Sequence, residues 1–75
     1  MPSLPVVSGR EAGKAFAKLG FMYDHHRGSH MIHYHHDGRH LSIPDHRELD
    51  RGTLRALIRA AGISVKAFVR LRQDP

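Results

Sequence analysis

Residues 21–43 read FMYDHHRGSHMIHYHHDGRHLSI and contain three short runs of alternating side chains separated by two turn signals. The first run predicts a strand over residues 21–26, and the RGS that follows is typical of a turn. The second run predicts a strand over residues 30–35, which ends at the hairpin signal HDG. A third strand is predicted over residues 39–43, because the proline that follows has no backbone N–H to donate. Together these signals predict a three-stranded antiparallel sheet.

Alternation assigns the side chains of each strand to opposite faces of this sheet. Ile32 and Tyr34 share one face of the second strand, and Leu41 and Ile43 share one face of the third. The other face of the second strand receives Met31, His33 and His35. Because each strand offers one apolar face, we expect helices to cover that side and to leave the other side exposed to water.

Helical periodicity is found on both sides of the predicted sheet. A capping box formed by Ser8 and Glu11 opens a first helix, which is predicted over residues 9–19. After the sheet, Asp50 and Ser64 are predicted to cap two further helices, the last of them short. The sequence therefore predicts an α+β fold in the order helix, three antiparallel strands, helix and short C-terminal helix, with the helices on one face.

The length of the chain limits its organisation. Seventy-five residues form one domain with a thin core, and the absence of cysteine means that no disulfide supports it. We expect a single domain over residues 1–75, in which residues 1–7 form a flexible leader. No basic region followed by a long apolar run occurs near the N-terminus, so no signal peptide or membrane span is predicted and we expect a cytoplasmic protein.

The charge balance points to a polyanionic partner. Twelve Lys and Arg residues against seven Asp and Glu residues give a formal charge of +5, and nine of the twelve cations are arginine. Arginine binds phosphate through a planar pair of donors that lysine lacks, which favours nucleic acid as the partner. By composition alone, a basic surface without a nucleic-acid partner is an equally good interpretation.

Six short motifs and one aromatic residue occur in order along residues 6–68. They are SGRE at 8–11, LGF at 19–21, RGSH at 27–30, IPDH at 43–46, GTL at 52–54, AGIS at 61–64 and then Phe68. In this combination the chain resembles the HicA family of bacterial toxin–antitoxin systems. The resemblance implies a fold like that of double-stranded-RNA-binding domains, cleavage of mRNA without metal or cofactor, and inhibition by a HicB-like antitoxin.

The family's catalytic histidine follows Gly-Ser at the start of the second strand, and here that position is His30. Histidine suits proton transfer to and from RNA oxygens, because its ordinary pKa of about 6.5 keeps both protonation states populated near neutral pH. The nearby residues predicted to bind substrate are Arg27, Gly28, Ser29 and Arg39. The arginines would stabilise phosphate charge, the glycine would let the backbone approach it, and the serine could donate to a nonbridging oxygen. The structural alternative for His30 is a half-buried strand residue beside Ile32.

The second helix carries a possible anion-binding surface. Arg51, Arg55 and Arg59 recur at intervals of four residues and line one exposed side of this helix. We expect Arg55 and Arg59 to contact RNA phosphates or an acidic face of the antitoxin. An equally good interpretation is a solvated face that Glu48 and Asp50 partly neutralise.

The remaining histidines leave two questions open. His46 follows Pro-Asp near the second helix, where it either contacts substrate or has a structural role as a cap or a partner of a loop carbonyl. A metal site is the other alternative, in which His33 and His35 are joined across the strands by His25 or His40. No carboxylate pattern supports such a site, so no metal ligand is predicted.

These observations lead to one main functional hypothesis and two alternatives. The main hypothesis is a toxin that cleaves mRNA with His30, thereby inhibits translation, and is neutralised by a HicB-like antitoxin. It would act as a monomer or within a hetero-oligomer with that antitoxin. The alternatives are a non-catalytic RNA-binding module with the same fold and a histidine-rich metal-binding protein.

Overall fold

The chain forms a helix, a three-stranded sheet and two further helices, as a computed structural model of residues 3–74 shows. The elements are α1 (Gly9–Ala17), β1 (Met22–Arg27), β2 (His30–Tyr34), β3 (His40–Pro44), α2 (Arg51–Ala61) and α3 (Val65–Gln73). The strands form one antiparallel sheet in the order β1-β2-β3. This architecture confirms the predicted α+β fold and is consistent with a layout like that of double-stranded-RNA-binding domains. No helix within residues 3–74 is long and apolar enough to cross a membrane.

Side-chain caps start the helices where the sequence predicts them, whereas α1 ends at Ala17, two residues before the predicted end. The Ser8 hydroxyl accepts from the backbone N–H of Glu11 at 3.0 Å, and the Glu11 carboxylate accepts from the backbone N–H of Ser8 at 3.1 Å. The side chains of Asp50 and Ser64 cap α2 and α3 by accepting from the backbone N–H three residues later. Gly62 ends α2 with a φ of 79°, a left-handed conformation that glycine adopts without strain.

The strands differ from the prediction by one residue at every boundary except the start of β2, and two of these differences have a clear cause. Phe21 lies before β1, because its backbone N–H donates to the carbonyl of Phe16 at 3.2 Å and its side chain is fully buried. It therefore helps to close α1 and does not join the sheet. Pro44 is the last residue of β3 and aligns with His30 on β2. A proline is compatible with this position because β3 is an edge strand.

A β-bulge in β1 determines which side chains face water. Asp24 is an extra residue in the pairing of β1 with β2, so the register shifts at that point. After the bulge, His25 aligns with Ile32 and Arg27 aligns with His30. Because directly paired residues share a face, these four side chains lie on the same side of the sheet.

The sheet has one face against the helices and one open face. The helix-side face contributes Met31, Leu41 and Ile43 to a core whose aromatic centre is the pair Phe16 and Phe68, with ring centroids 5.2 Å apart. We call the other side the open face; it consists of Met22, His25, Arg27, His30, Ile32, Tyr34, His40, Ser42 and Pro44. The expected division into a covered and an exposed face is thus observed.

The β2 residues nevertheless divide between these faces in an unexpected way. Ile32 and Tyr34 lie on the open face, whereas Met31 and His33 face the helices. The cause is the pairing with β3, since Leu41 aligns with His33 and Leu41 belongs to the core. The core residues of β3 therefore determine which side chains of β2 face the helices.

The predicted flexible leader requires a correction. Leu4 and Val7 are buried in the core, and the carbonyl of Val7 accepts from the backbone N–H of Leu49 at 2.8 Å. Residues 3–7 are therefore packed against the domain, because two of their apolar side chains find space beside the start of α2. The part of the leader prediction that concerns residues 1 and 2 lies outside the described residues, as does residue 75.

Candidate functional site

His30 begins β2 and is exposed on the open face. Its Nδ1 atom lies 3.0 Å from the Ser42 hydroxyl, which belongs to the neighbouring strand. The other ring nitrogen, Nε2, has no hydrogen-bond partner within residues 3–74. Sequence reasoning did not identify Ser42 as a partner, although counting residues across the second hairpin would have placed it diagonal to His30. The ring is thus held at one nitrogen and free to react at the other.

Arg27 stands directly beside His30 because the two residues pair across the first hairpin. Gly28 makes the turn between them with a φ of 59°, and open space surrounds the position where a side chain would begin. The carbonyl of Ser29 accepts from the backbone N–H of Asp45 at 2.8 Å, which ties this turn to the loop after β3. The structure therefore brings three predicted site residues together next to His30, as the RGSH motif implies.

Arg39 does not join this group. Its guanidinium contacts the carboxylate of Asp37 at 2.9 Å and the carbonyl of Ala61 at 3.2 Å, and it lies 5.0 Å from the centroid of the Phe21 ring. The backbone N–H and then the side chain of Arg39 hold the pKa of Asp37 below its ordinary value. These contacts fasten the second hairpin to the end of α2 on the helix side, so the expected position of Arg39 beside His30 is corrected.

The contact made by His46 runs through its backbone. Its carbonyl accepts from the backbone N–H of Gly9 at 2.9 Å, which satisfies a donor at the start of α1. The imidazole is exposed. The structure thus shows a structural role for the main chain at this position, whereas a substrate contact by the side chain stays a prediction.

The arginines of α2 lie where the helical spacing places them. Arg51, Arg55 and Arg59 are exposed, whereas Leu54, Leu57 and Ile58 are buried. Asp50 does not pair with them, because its carboxylate accepts from the hydroxyl and the backbone N–H of Thr53; these two bonds, the hydroxyl first, lower its pKa. Since α2 covers the helix side of the sheet, this stripe and His30 belong to different surfaces of the domain.

The histidine positions do not support the metal alternative. His33 is buried on the helix side, whereas His25 and His40 lie on the open face. The Nδ1 of His33 lies 3.2 Å from the carbonyl of Phe21, and burial is the main cause that lowers its pKa. Among residues 3–74, no group of three or more His, Cys, Asp or Glu residues could hold a metal ion.

A polar network at the edge of the helix side was not predicted from the sequence. The Tyr23 hydroxyl lies 2.7 Å from Nδ1 of His26, and Nε2 of the same ring lies 3.2 Å from Asp45. Arg10 donates to the other carboxylate oxygen of Asp45 at 3.1 Å. Arg10 and then His26 lower the pKa of this carboxylate. No local pattern could have joined residues 35 positions apart; the only hint was that both lie in motifs of the family resemblance.

Fold and site define a class of small, basic α+β proteins that present a histidine and an arginine beside a tight turn on an uncovered sheet. The family model described as HicA toxin of bacterial toxin-antitoxin matches residues 9–63, which is well over half of the chain. The chain therefore belongs to the HicA toxin family and is the toxin of a toxin–antitoxin system. A search of curated proteins finds no match.

Proposed function

We propose that this toxin is a metal-independent endoribonuclease that cleaves mRNA with His30 and thereby inhibits translation. The observation that carries the proposal is the side-by-side position of His30 and Arg27 on the open face, with Nδ1 of His30 held by Ser42. This arrangement offers one nitrogen for proton transfer and one neighbouring positive charge for a phosphate. Both groups are accessible to a polymer as large as RNA.

The chemistry is an attack by the 2'-hydroxyl on the adjacent phosphorus, in which the 5'-oxygen of the next nucleotide leaves. When the Ser42 hydroxyl accepts the Nδ1 proton, Nε2 of His30 carries the lone pair and can take the proton from the 2'-hydroxyl. The bond from phosphorus to the 5'-oxygen breaks, and the leaving oxygen takes a proton from the protonated His30 or from water. The products are a 2',3'-cyclic phosphate and a 5'-hydroxyl.

Arg27 supplies the electrostatic part of the reaction. The phosphorane oxygens gain negative charge as the 2'-oxygen attacks, and a guanidinium beside them stabilises that charge more than it stabilises the ground state. Removal of a comparable donor lowers the rate constant of other enzymes by about 10²–10³-fold. The open turn at Gly28 and the exposed Ser29 leave room for the phosphate next to Arg27.

A HicB-like antitoxin is the proposed inhibitor, since the family is defined by such pairs. Arg55 and Arg59 offer that partner or the RNA a second positively charged surface, on the helix side of the domain. The competing function is a non-catalytic RNA-binding module. It is favoured by the same basic surface but has no need of a histidine fixed at one ring nitrogen.

Replacement of His30 separates the two functions. We expect His30→Ala to abolish RNA cleavage and toxicity in cells while it keeps RNA binding, because the exposed ring contributes little to packing. His36→Ala is the matched control, since His36 is also exposed but lies in the second hairpin turn. Cleavage is measured in EDTA, and mass spectrometry identifies the product ends.

Three results would contradict the proposal. Full activity of a folded His30→Ala variant would exclude the catalytic role, and circular dichroism would verify the fold. A 3'-hydroxyl product end would exclude attack by the 2'-hydroxyl. Complete inhibition by EDTA would show that a metal-bound water, and not His30, drives the reaction.

A further inference from the structure

Three aromatic rings form a row across the open face, one from each strand. His25 on β1 lies 6.4 Å from Tyr34 on β2, and Tyr34 lies 5.7 Å from His40 on β3, as measured between ring centroids. The planes of neighbouring rings differ by 27° and 38°, so the first pair is stacked and the second is tilted. We call His25, Tyr34 and His40 the ring row.

The ring row is exposed although it is apolar in part. The Tyr34 residue is 45% exposed, and the side chain of His25 is 42% exposed. Met22, which aligns with Tyr34, is 59% exposed and extends the apolar area toward the edge of the sheet. Ile32 lies between these side chains and is buried, so the rings pack against an apolar side chain.

Two structural devices orient the first ring of the row. The bulge at Asp24 shifts the alternation of the residues that follow it, whereas regular alternation from Tyr23 onward would place His25 on the helix side. The Asp24 carboxylate then holds Nδ1 of His25 at 2.6 Å. Bulges of this kind often redirect a side chain next to a functional site. The orientation of His25 therefore has its own structural basis and is not a by-product of regular strand geometry.

We infer that the ring row binds nucleobases of single-stranded RNA by stacking, at a site beside the one where His30 acts. The inference rests on the proposed RNA substrate and adds the way in which that substrate is held. Every base has a flat π face, so rings on a sheet bind RNA irrespective of sequence. Tyr34, the member of the ring row on β2, lies four residues after His30, which corresponds to about 13 Å along the strand. The bound bases therefore belong to nucleotides that flank the reacting one.

Charge favours RNA over a protein as the occupant of this face. Arg27 continues the ring row toward the turn, and the carboxylate of Asp24 is already engaged by His25. Aromatic rings beside a positive charge match the bases and phosphates of a single strand. A base-paired duplex hides its base faces, so the ring row predicts a preference for single-stranded RNA.

Binding to an RNA that cannot be cleaved tests the inference. The probe is a fluorescent single-stranded oligonucleotide with 2'-O-methyl groups throughout, and anisotropy gives its Kd with the full chain. We expect Tyr34→Ala to weaken binding about 10-fold and Tyr34→Phe to retain it, since loss of one stacked base typically costs this much. The matched control is Tyr23→Ala, because Tyr23 is 52% exposed but faces the helix side.

Two further probes separate stacking from charge. An abasic oligonucleotide of the same length should bind the wild type no better than it binds Tyr34→Ala. The chain has two tyrosines and no tryptophan, so Tyr34 is the only strong fluorophore of a Tyr23→Phe variant. Its emission should be quenched by the single strand and not by a duplex of the same sequence.

Equal binding by wild type and a correctly folded Tyr34→Ala variant would overturn the inference. So would a loss of antitoxin inhibition without a loss of RNA binding, because the face would then be a protein interface. Cleavage is measured separately, with unmodified RNA. Failure of the wild type to cleave would refute the proposed nuclease activity, whereas the binding comparison would still decide whether the ring row holds bases.

Discussion

Gly9 is the residue at which a single methyl group should disturb this fold most clearly. It is the first residue of α1, and its backbone N–H donates to the carbonyl of His46 at 2.9 Å. A Cβ at this position would overlap the carbonyl oxygen of Pro44 and lie 3.0 Å from the carbonyl carbon. Both atoms belong to the backbone, so no rotation of a side chain can relieve the overlap. We therefore expect Gly9→Ala to push α1 away from the end of β3.

The size of the effect follows from two costs and one gain. Overpacking costs about 1–3 kcal/mol, and the weakened bond from Gly9 to His46 adds about 0.5–1.5 kcal/mol. The higher helix propensity of alanine returns less than about 1 kcal/mol at a helix end. The net loss of about 1–4 kcal/mol is large for a chain of 75 residues, whose total stability is about 4–11 kcal/mol.

Urea unfolding monitored by circular dichroism gives the change in the free energy of unfolding. Gly52→Ala is the matched control, since Gly52 also lies in the first turn of a helix but has only a carboxylate oxygen of Asp50, at 3.4 Å, nearby. There the gain in helix propensity should dominate and stabilise the protein by about 0.5 kcal/mol. A Gly9→Ala variant as stable as Gly52→Ala would refute the close contact with Pro44.

Three other perturbations have clear expected outcomes. Arg39→Met should lower stability by about 1–2 kcal/mol, because a hydrogen bond and a cation–π contact are lost, but should change the RNA affinity by no more than about twofold. A large loss of RNA affinity in a stable variant would show instead that Arg39 contacts RNA. Burial lowers the pKa of His33, so below about pH 6.5 this residue takes up a proton in the unfolded chain but not in the folded one. The free energy of unfolding should therefore decrease as the pH is lowered, and should decrease less in His33→Gln. Equal decreases for both proteins in urea titrations at acidic pH would contradict this. Joint replacement of Arg55 and Arg59 by glutamate should weaken binding of RNA or antitoxin, measured by anisotropy, without unfolding the domain, measured by circular dichroism. If RNA is the partner, the slope of log K against log salt concentration should become less steep by about 0.7 for each lost phosphate contact.

Local signals in the sequence were sufficient for the helices. The caps at Ser8, Asp50 and Ser64 act within three residues of themselves, so their geometry depends little on the rest of the chain. The predicted helical spacing of the α2 arginines is correct for the same reason. Interactions over short separations leave a readable pattern in a single sequence.

Properties that depend on pairing between strands could not be predicted in the same way. The bulge at Asp24 has no sequence signature here, yet it turns His25 and Arg27 to the face of His30. Arg39 follows a hairpin turn and has the side chain expected of a phosphate-binding residue, but its guanidinium is bound by the nearby carboxylate of Asp37. In both cases a neighbour in space, and not the residue itself, decides the role.

The motifs SGRE and IPDH contact each other in the structure, at a joint between the start of α1 and the end of β3. Gly9 packs against the backbone of Pro44, and the next residue, Asp45, donates its N–H to the carbonyl of Ser29. Pro44 in turn aligns with His30, so the end of β3 is held against the start of β2 from two sides. For the reaction proposed above, the ring of His30 needs a fixed position more than it needs many contacts of its own. The joint supplies that position from the helix side and leaves the open face free around His30.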